Sequence, residues 1–116
     1  MSDIIETSEF LEQIAFQLIA HAGEARSNVF EALTKVIEGK NKEAKELIKK
    51  ADDELVLAHK AQFDLITREA RGNPVEPTIL LVHAQDILMA SLTEKALAEK
   101  IIDIYESLKS MIQKNV

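Results

Sequence analysis

Helix-breaking residues are scarce in this chain and fall mainly at two places. The 116 residues contain only three Gly and two Pro, and four of these five lie at Gly39 or between Gly72 and Pro77. Proline cannot continue a helix interior, and glycine weakens one. The uninterrupted stretches between these points favour long helices over a turn-rich β fold. We therefore expect an all-α protein.

The two breaks divide the chain into three predicted helices. We expect them over about residues 7–38, 42–71 and 78–114, packed as an antiparallel three-helix bundle in one domain over residues 1–116. Gly39 suits the left-handed backbone that often follows a helix. Asn41 is predicted to cap the second helix, and Pro77 to lie in the first turn of the third.

Composition limits where such a chain acts and what it binds. It has no cysteine, so disulfides and thiolate metal sites are impossible. Its formal net charge is −6, and its Lys and Arg residues are scattered, which argues against nucleic acid or an anionic membrane as a direct partner. With no apparent secretory signal and no apolar run long enough to span a bilayer, the cytoplasm is the expected location.

Apolar residues recur at helical spacing in the first two segments. Steps of three and four residues place them on one face of each helix. In the first helix this predicted face is Ile14, Leu18, Ala22, Ala25, Val29, Leu33 and Val36, and in the second it is Ile48, Ala51, Leu55, Ala58, Gln62, Leu65 and Glu69.

The third segment is apolar around too much of its circumference for a single buried face. Ile79 to Val82 are consecutive apolar residues, and Ile87 to Met89 follow closely. A helix of this kind is normally buried on several sides, and large exposed apolar patches usually indicate a partner. Self-association through the third helix is therefore expected.

Two polar residues interrupt this apolar segment near its start. Asp86 lies three residues after His83, so the two are neighbours on the helix. Asp86 shares a row with apolar residues and, if buried, must pair, become neutral or bind a cation. His83 is either a hydrogen-bonded histidine near a helix start or a nucleophile whose neutral imidazole accepts a phosphoryl group. Backbone N–H groups at the helix start could help to hold such an anion.

Polar residues in the other helices leave further alternatives open. His59 and Gln62 either fix the register of the helices or orient His83. Gly23 either permits close helix approach or leaves room for an incoming side chain, and Arg26 lies along the surface or near a phosphate. His21 is assigned to packing.

Several other classes of site lack necessary parts. No phosphate-binding glycine loop occurs, and no Glu-x-x-His pair that a di-iron bundle needs is present. The His-x-Lys-Gly pattern of two-component phosphorelay domains is also missing, because Gln85 and Asp86 follow Ala84. A zinc site built from three dispersed histidines remains a weak alternative.

Three sequence segments carry a resemblance to a known family. They are Gly23-Glu24-Ala25-Arg26-Ser27, Ala58-His59-Lys60-Ala61-Gln62, and Val82-His83-Ala84-Gln85-Asp86 with Leu88-Met89. In these segments, and over nearly its whole length, the chain resembles the lactose/cellobiose (chitobiose) family of enzyme IIA components of the bacterial sugar phosphotransferase system.

The resemblance implies a specific mechanism and assembly. Members of the family are trimers whose third helices pack around a threefold axis. The residue matching His83 accepts phosphate from the phosphocarrier HPr and passes it to a cysteine of enzyme IIB, so contact with the membrane is only indirect, through the transporter. The residue matching Asp86 faces the axis, where three copies hold a divalent cation such as Mg²⁺. Gln85, His59 and Gln62 are expected to shape the site.

Two positions depart from the family pattern. Ile87 stands where relatives often have a second histidine, and Leu57 replaces a common acidic residue. These departures affect the prediction of which sugar is transported rather than the prediction of the reaction. Cellobiose or chitobiose-type disaccharides are favoured over lactose. The competing hypothesis is a non-enzymatic helical interaction or regulatory module whose third helix serves only to oligomerise.

Overall fold

Three long helices make up the fold. The computed structural model describes residues 2–115, with the side chains of residues 8–115. The helices are α1 (Ser2–Ile37), α2 (Asn41–Ala70) and α3 (Ile79–Lys114), and no strand occurs within the described residues. The predicted all-α class is confirmed. α1 begins at Ser2 rather than near residue 7.

The first connection is a tight turn after α1. Gly39 has a φ of +79°, and its N–H donates to the carbonyl of Val36 at 3.1 Å while that of Lys40 donates to Lys35 at 2.8 Å. The left-handed residue was correctly predicted, but the cap was not. Lys40 occupies the N-cap of α2 without a side-chain hydrogen bond, and Asn41 is already the first helical residue.

The second connection runs from the end of α2 to Thr78. Gly72 has a φ of +88°, and the N–H of Asn73 donates to the carbonyl of Arg68 at 3.0 Å. Thr78 is the N-cap of α3, and its hydroxyl oxygen accepts a hydrogen bond from the Leu81 N–H at 3.1 Å. Pro77 therefore precedes the cap, and the prediction that it lies in the first turn of α3 is wrong.

Contacts between side chains define an up-down-up bundle. His21 and Phe10 of α1 meet Glu54 and Arg68 of α2, respectively, so earlier residues of α1 face later residues of α2. In the same way, Gln62 of α2 meets Gln85 of α3 while Asp52 meets Lys95. Each helix therefore runs antiparallel to the next, and the molecule extends 72 × 21 × 20 Å.

Small side chains dominate the interior. Ala22, Ala58 and Ala84 are fully buried where the helices meet, and the hydroxyl of buried Ser91 lies 3.0 Å from the carbonyl oxygen of Ala22. The predicted faces of α1 and α2 do point inward, with Glu69 as the exposed exception. Alanine at these positions lets the helix axes approach closely.

Large apolar side chains lie mainly on the outside of this single chain. On α3 they include Ile79, Val82, Met89, Leu97, Ile101, Ile104, Leu108, Met111 and Ile112, each about half exposed or more. The expectation that α3 presents an uncovered apolar surface is therefore correct. Within residues 2–115, no helix is long and apolar enough to cross a membrane.

The core generates a direct stability test at Leu18. This side chain is fully buried in the main cluster, so Leu18→Ala removes apolar contacts and leaves a cavity. We expect a loss of about 2–5 kcal/mol in the free energy of unfolding, measured by denaturant titration at fixed chain concentration. Leu57→Ala, at a half-exposed position on α2, is the matched control and is expected to cost much less. Equal losses would contradict the assignment of the core.

Candidate phosphoryl-acceptor site

His83 lies in the second turn of α3 and points into solvent. Leu81, Ala84 and Leu88 turn toward the core, and helical geometry then directs His83 outward. The side chain is exposed, and no hydrogen bond to it occurs within the described part of the chain. The first of the two alternatives for His83, a histidine fixed by a hydrogen bond near a helix start, therefore has no support in the described residues.

The first turn of α3 offers less to an anion than the sequence suggested. The N–H of Leu81 is bound by the hydroxyl oxygen of Thr78, and that of Val82 donates to the Thr78 carbonyl at 2.9 Å. These two donors are satisfied within the chain. Neither donor is therefore free to hold a phosphoryl group on His83.

Gln62 and Gln85 form a bridge between α2 and α3. The amide nitrogen of Gln62 donates to the amide oxygen of Gln85 at 3.1 Å, in a half-buried position. His59 lies one turn from Gln62 and lines the same α2–α3 groove as Lys95 and Ala96. Three predicted site residues thus lie together on the side of α3 that faces α2.

His83 does not lie on that side. An α-helix turns by about 100° per residue, so His83 and Gln85 point about 160° apart around α3. Glu94, three turns after His83 on the same side, accepts a hydrogen bond from Arg26 of α1 at 2.9 Å. His83 therefore lies on the α1 side of α3. Within one chain, His59, Gln62 and Gln85 do not surround it.

Arg26 is likewise remote from His83 in the same chain. Glu94, its partner, follows His83 by about 16 Å along the helix axis. Gly23, one turn before Arg26, is exposed, and a Cβ there would meet no atom within 4 Å. Close packing inside this chain therefore does not explain the glycine.

His21 has a structural partner, in agreement with its assignment to packing. Its Nδ1 lies 2.6 Å from a carboxylate oxygen of Glu54, and both side chains are about one-third exposed. This contact ties α1 to α2 near the middle of the bundle. His21 is thus already engaged, in contrast to His83.

Asp86 is exposed in the single chain, and its burial at an axis between copies stays a prediction. It lies in the same exposed row as Val82 and Leu97. No group of three His, Asp or Glu side chains that could hold a metal occurs among the described residues. One chain supplies Asp86 alone, so any metal site here needs carboxylates from several copies.

A charged cluster in the α2–α3 groove was not predicted. The Lys95 ammonium lies 2.6 Å from Asp52 and also contacts Glu99. The hydrogen bonds that the Lys95 ammonium donates to these carboxylates, to Asp52 above all, raise the pKa of Lys95 despite partial burial. The spacing of Lys95 and Glu99 on one helix signals their pairing, but nothing in the sequence signals Asp52, which comes from another helix.

An exposed imidazole on a helix is a group that can accept a phosphoryl group. The family of lactose/cellobiose-specific IIA subunits of the phosphotransferase system matches residues 13–106. The chain belongs to this family, whose members are sugar-specific phosphotransfer components.

Relatives and solved structures agree with this assignment. The lichenan-specific phosphotransferase enzyme IIA component of Bacillus subtilis is 44% identical over 87% of this chain and 92% of its own length. The cellobiose-specific enzyme IIA of Bacillus anthracis superposes with a TM-score of 0.83 at 47% identity, covering 86% of this chain and 92% of that one. The Escherichia coli IIA(chitobiose), solved in complex with HPr, has a TM-score of 0.74 at 33% identity and covers 85% and 96%, respectively.

The Lys95 cluster predicts a pH-dependent contribution to stability. Folding raises the pKa of Lys95. The contribution of Lys95 to the free energy of unfolding is therefore complete below its pKa in the unfolded chain, about 10.4, and is lost as the pH rises through its pKa in the folded chain. We expect Lys95→Met to lower the free energy of unfolding by about 1 kcal/mol at pH 8. The difference from wild type should shrink above about pH 10.5.

The control for Lys95→Met is the same change at Lys49. Lys49 lies 3.7 Å from Asp53, and both side chains are well exposed, so its loss should lower the free energy of unfolding by less than that of Lys95. Denaturant titrations between pH 8 and pH 11 compare the two variants. A Lys95→Met difference that stays constant over this range would contradict the role of the ammonium charge.

Proposed function

We propose that this chain carries a phosphoryl group on His83 during uptake of a β-linked disaccharide such as cellobiose, chitobiose or lactose. It receives the group from phospho-HPr and passes it to a cysteine of the cognate enzyme IIB, acting in the cytoplasm. The observation that carries this proposal is the exposed, unengaged imidazole of His83 in a chain that belongs to the IIA family.

The transfer needs only one nucleophile from this chain. The lone pair of one imidazole nitrogen of His83 forms an N–P bond as the bond between phosphorus and the HPr nitrogen breaks. In the second step, a thiolate of enzyme IIB forms an S–P bond as the N–P bond at His83 breaks. The proton on the other nitrogen of His83 stays in place through both steps, so the ring is neutral before the first transfer and again after the second.

Exposure of His83 suits a residue that meets two proteins in turn. Phosphoryl transfer depends on in-line positioning and on neutralising the phosphoryl oxygens, and both donor and acceptor must approach the same nitrogen. The E. coli relative forms a complex with HPr, which supports the first partner. Two donors of the first turn of α3 are already bonded within the chain, so groups of the partners or of a neighbouring copy would take part in neutralising the phosphoryl oxygens.

Trimerisation through α3 accounts for the uncovered apolar row. Val82, Met89, Leu97 and Ile101 are each about half exposed in the single chain, and Asp86 lies among them. Association of three copies about an axis along α3 would cover this row. The area concerned runs nearly the length of the helix, well beyond the scattered apolar residues normal on a monomer.

Cyclic association also explains why the predicted site residues are divided between two sides of α3. In a closed ring, one side of each copy meets the opposite side of the next. The α2–α3 groove with His59, Gln62 and Gln85 would then face the α1 side of a neighbour, where His83 lies. On this proposal, each site is shared between two copies, and the site-shaping role of the three residues is exercised on a neighbour's His83.

The same axis offers a place for Mg²⁺ or another divalent cation. Three symmetry-related Asp86 carboxylates would repel one another unless a cation or protonation relieved them. Carboxylate oxygens are ligands that Mg²⁺ accepts, so the donor type fits. A bound cation would neutralise the axis and steady the trimer, with no part in the transfer at His83.

The acceptor is tested with the histidine variants. His83→Ala should fold as wild type, because the side chain is exposed, but should accept no phosphate from phosphoenolpyruvate, enzyme I and HPr. His59→Ala is the matched control: it retains the acceptor and should still gain one acid-labile phosphate, more slowly if it assists a neighbour. Intact-mass analysis reads both outcomes.

Two results of this experiment would oppose the proposal. Normal phosphorylation of His83→Ala would remove His83 from the mechanism. Absence of phosphate on wild type, with the donors shown to be active on another substrate, would favour the helical interaction module instead.

The role of Asp86 is tested by Asp86→Leu. Replacing three repelling carboxylates with apolar groups should keep or tighten the trimer, as measured by sedimentation over a range of concentrations. Asp103→Leu, elsewhere on exposed α3, is the control and should change little. Mg²⁺ should raise the melting temperature of wild type but not of Asp86→Leu. Dissociation of Asp86→Leu into monomers would contradict this account, and an equal Mg²⁺ effect on both would contradict the metal site.

A further inference from the structure

Two lysines line the groove between α2 and α3, and they differ in what surrounds their charges. The Lys95 ammonium is paired with the carboxylates of Asp52 and Glu99. Lys60, on α2, is exposed and lines the same groove. Within the described part of the chain, its ammonium forms no ion pair with a carboxylate. The positive charge of Lys60 is therefore available to an anion from outside this chain.

Lys60 lies close to the height of His83 along the bundle. Gln62 meets Gln85 across the groove. Because α2 and α3 run antiparallel, Lys60 is two residues from this contact in one direction along the bundle, and His83 is two residues from it in the other. At about 1.5 Å of rise per residue, their heights differ by about 6 Å. The flexible four-carbon stem of a lysine covers such a span.

Within one chain, α3 separates Lys60 from His83. The groove that Lys60 lines is on the α2 side of α3, whereas His83 lies on the α1 side. In the cyclic trimer proposed above, the groove of one copy faces the α1 side of the next. Rotation about an axis along α3 leaves heights unchanged. The Lys60 of a neighbour therefore approaches from the side on which His83 lies, and at a suitable height.

The other groups near this site do not supply such a charge. The amides of Gln62 and Gln85 can provide only neutral hydrogen bonds, and Arg26 is already paired with a carboxylate of α3. Apolar side chains, among them Val56 and Phe63, line the groove beside Lys60. When a second copy covers this groove and excludes water, an ammonium there interacts more strongly with a phosphoryl group.

We infer that Lys60 of one copy contacts the phosphoryl oxygens on the His83 of a neighbouring copy and stabilises the phosphorylated protein. The inference rests on the proposed function and on the proposed trimer. In the transfer concerned, the bond between phosphorus and the HPr nitrogen breaks as the N–P bond at His83 forms, and Lys60 neither gains nor loses a proton. Its ammonium supplies charge-assisted hydrogen bonds to the phosphoryl oxygens.

The equilibrium of phosphoryl transfer between HPr and this protein measures the contact. Because this equilibrium compares separate proteins, interactions made only while HPr is docked cancel from it. Lys60→Met should lower the equilibrium constant for phosphorylation of His83 by about threefold or more, and Lys60→Arg should retain most of the wild-type value. Added salt should reduce the difference between wild type and Lys60→Met, because it screens the charge. Intact-mass analysis of both proteins gives the constant.

Lys50→Met is the matched control for Lys60→Met. Lys50 is an exposed lysine of the same helix that does not line the groove, so its loss removes the same charge and should leave the equilibrium constant unchanged. An equal decrease in the two variants would show that net charge alone matters and would overturn the inference. Slower transfer to Lys60→Met with an unchanged equilibrium constant would assign Lys60 to the docking of HPr, and would overturn the inference too.

Mixed assemblies test whether Lys60 acts between copies. Lys60→Met chains are unfolded and refolded together with an about tenfold excess of His83→Ala chains, so that most Lys60→Met chains have neighbours with an intact Lys60. Only the Lys60→Met chains can then carry phosphate, and their equilibrium constant should return to that of wild type. A constant that stays lowered in the mixture would place Lys60 beside the His83 of its own chain and overturn the inference.

The outcomes separate this inference from the proposed function. If wild type accepts no phosphate from active donors, the proposed function is wrong, and the inference with it. If wild type is phosphorylated and Lys60→Met has the same equilibrium constant, only the inference about Lys60 is wrong. A wild type that is phosphorylated as a monomer would overturn the contact between copies and leave His83 as the acceptor.

Discussion

Close contact between alanine-lined helix faces is the interaction on which this structure depends. Ala22, Ala58 and Ala84 are fully buried where the three helices meet, and so the axes can lie near one another. The same choice leaves little large apolar surface inside. Phe63 and Leu97 are instead more than half exposed. Because apolar burial is the main stabilising term in folding, a chain with so many large apolar residues outside would gain much of its stability from association in the proposed trimer.

α3 takes part in the core, the candidate site and the exposed apolar row, because each of its sides faces different surroundings. One side packs on α1 and holds Glu94 against Arg26, and another faces α2 through the bond between Gln85 and Gln62. The third side is the exposed apolar row. His83 lies on the α1 side but outside the core, where a partner can reach it. In the proposed trimer, covering the apolar row also brings the α2 side of one copy toward the His83 side of the next, so assembly and completion of the site are a single event.

Sequence patterns predict the parts of this fold that depend on neighbouring positions along one helix. The left-handed Gly39, the inward face of α1 and the exposed row of α3 all follow from residue type and a period of 3.6. Contacts between helices cannot be predicted in the same way. The residue pattern of one helix does not determine its rotation, or its position along the bundle axis, relative to another helix. Hence the pairing of Gln62 with Gln85 and of Asp52 with Lys95 was not predicted. Asp86 is exposed because in one chain nothing covers the row in which it lies.

On the proposed function, the exposure of His83 has a physical reason in the two successive transfers that this residue would perform. A histidine enclosed by its own chain could be held in a better electrostatic environment, but a donor and then an acceptor could not both reach the same nitrogen. For an exposed histidine, charged groups of other chains must help to neutralise the phosphoryl oxygens. Charged groups supplied by a neighbouring copy would stay in place through both transfers. Charged groups supplied by each partner would stabilise the phosphoryl group only while that partner is docked, which discourages loss of the phosphate to water. The divided arrangement of His83 and the α2–α3 groove permits both sources to act on one imidazole.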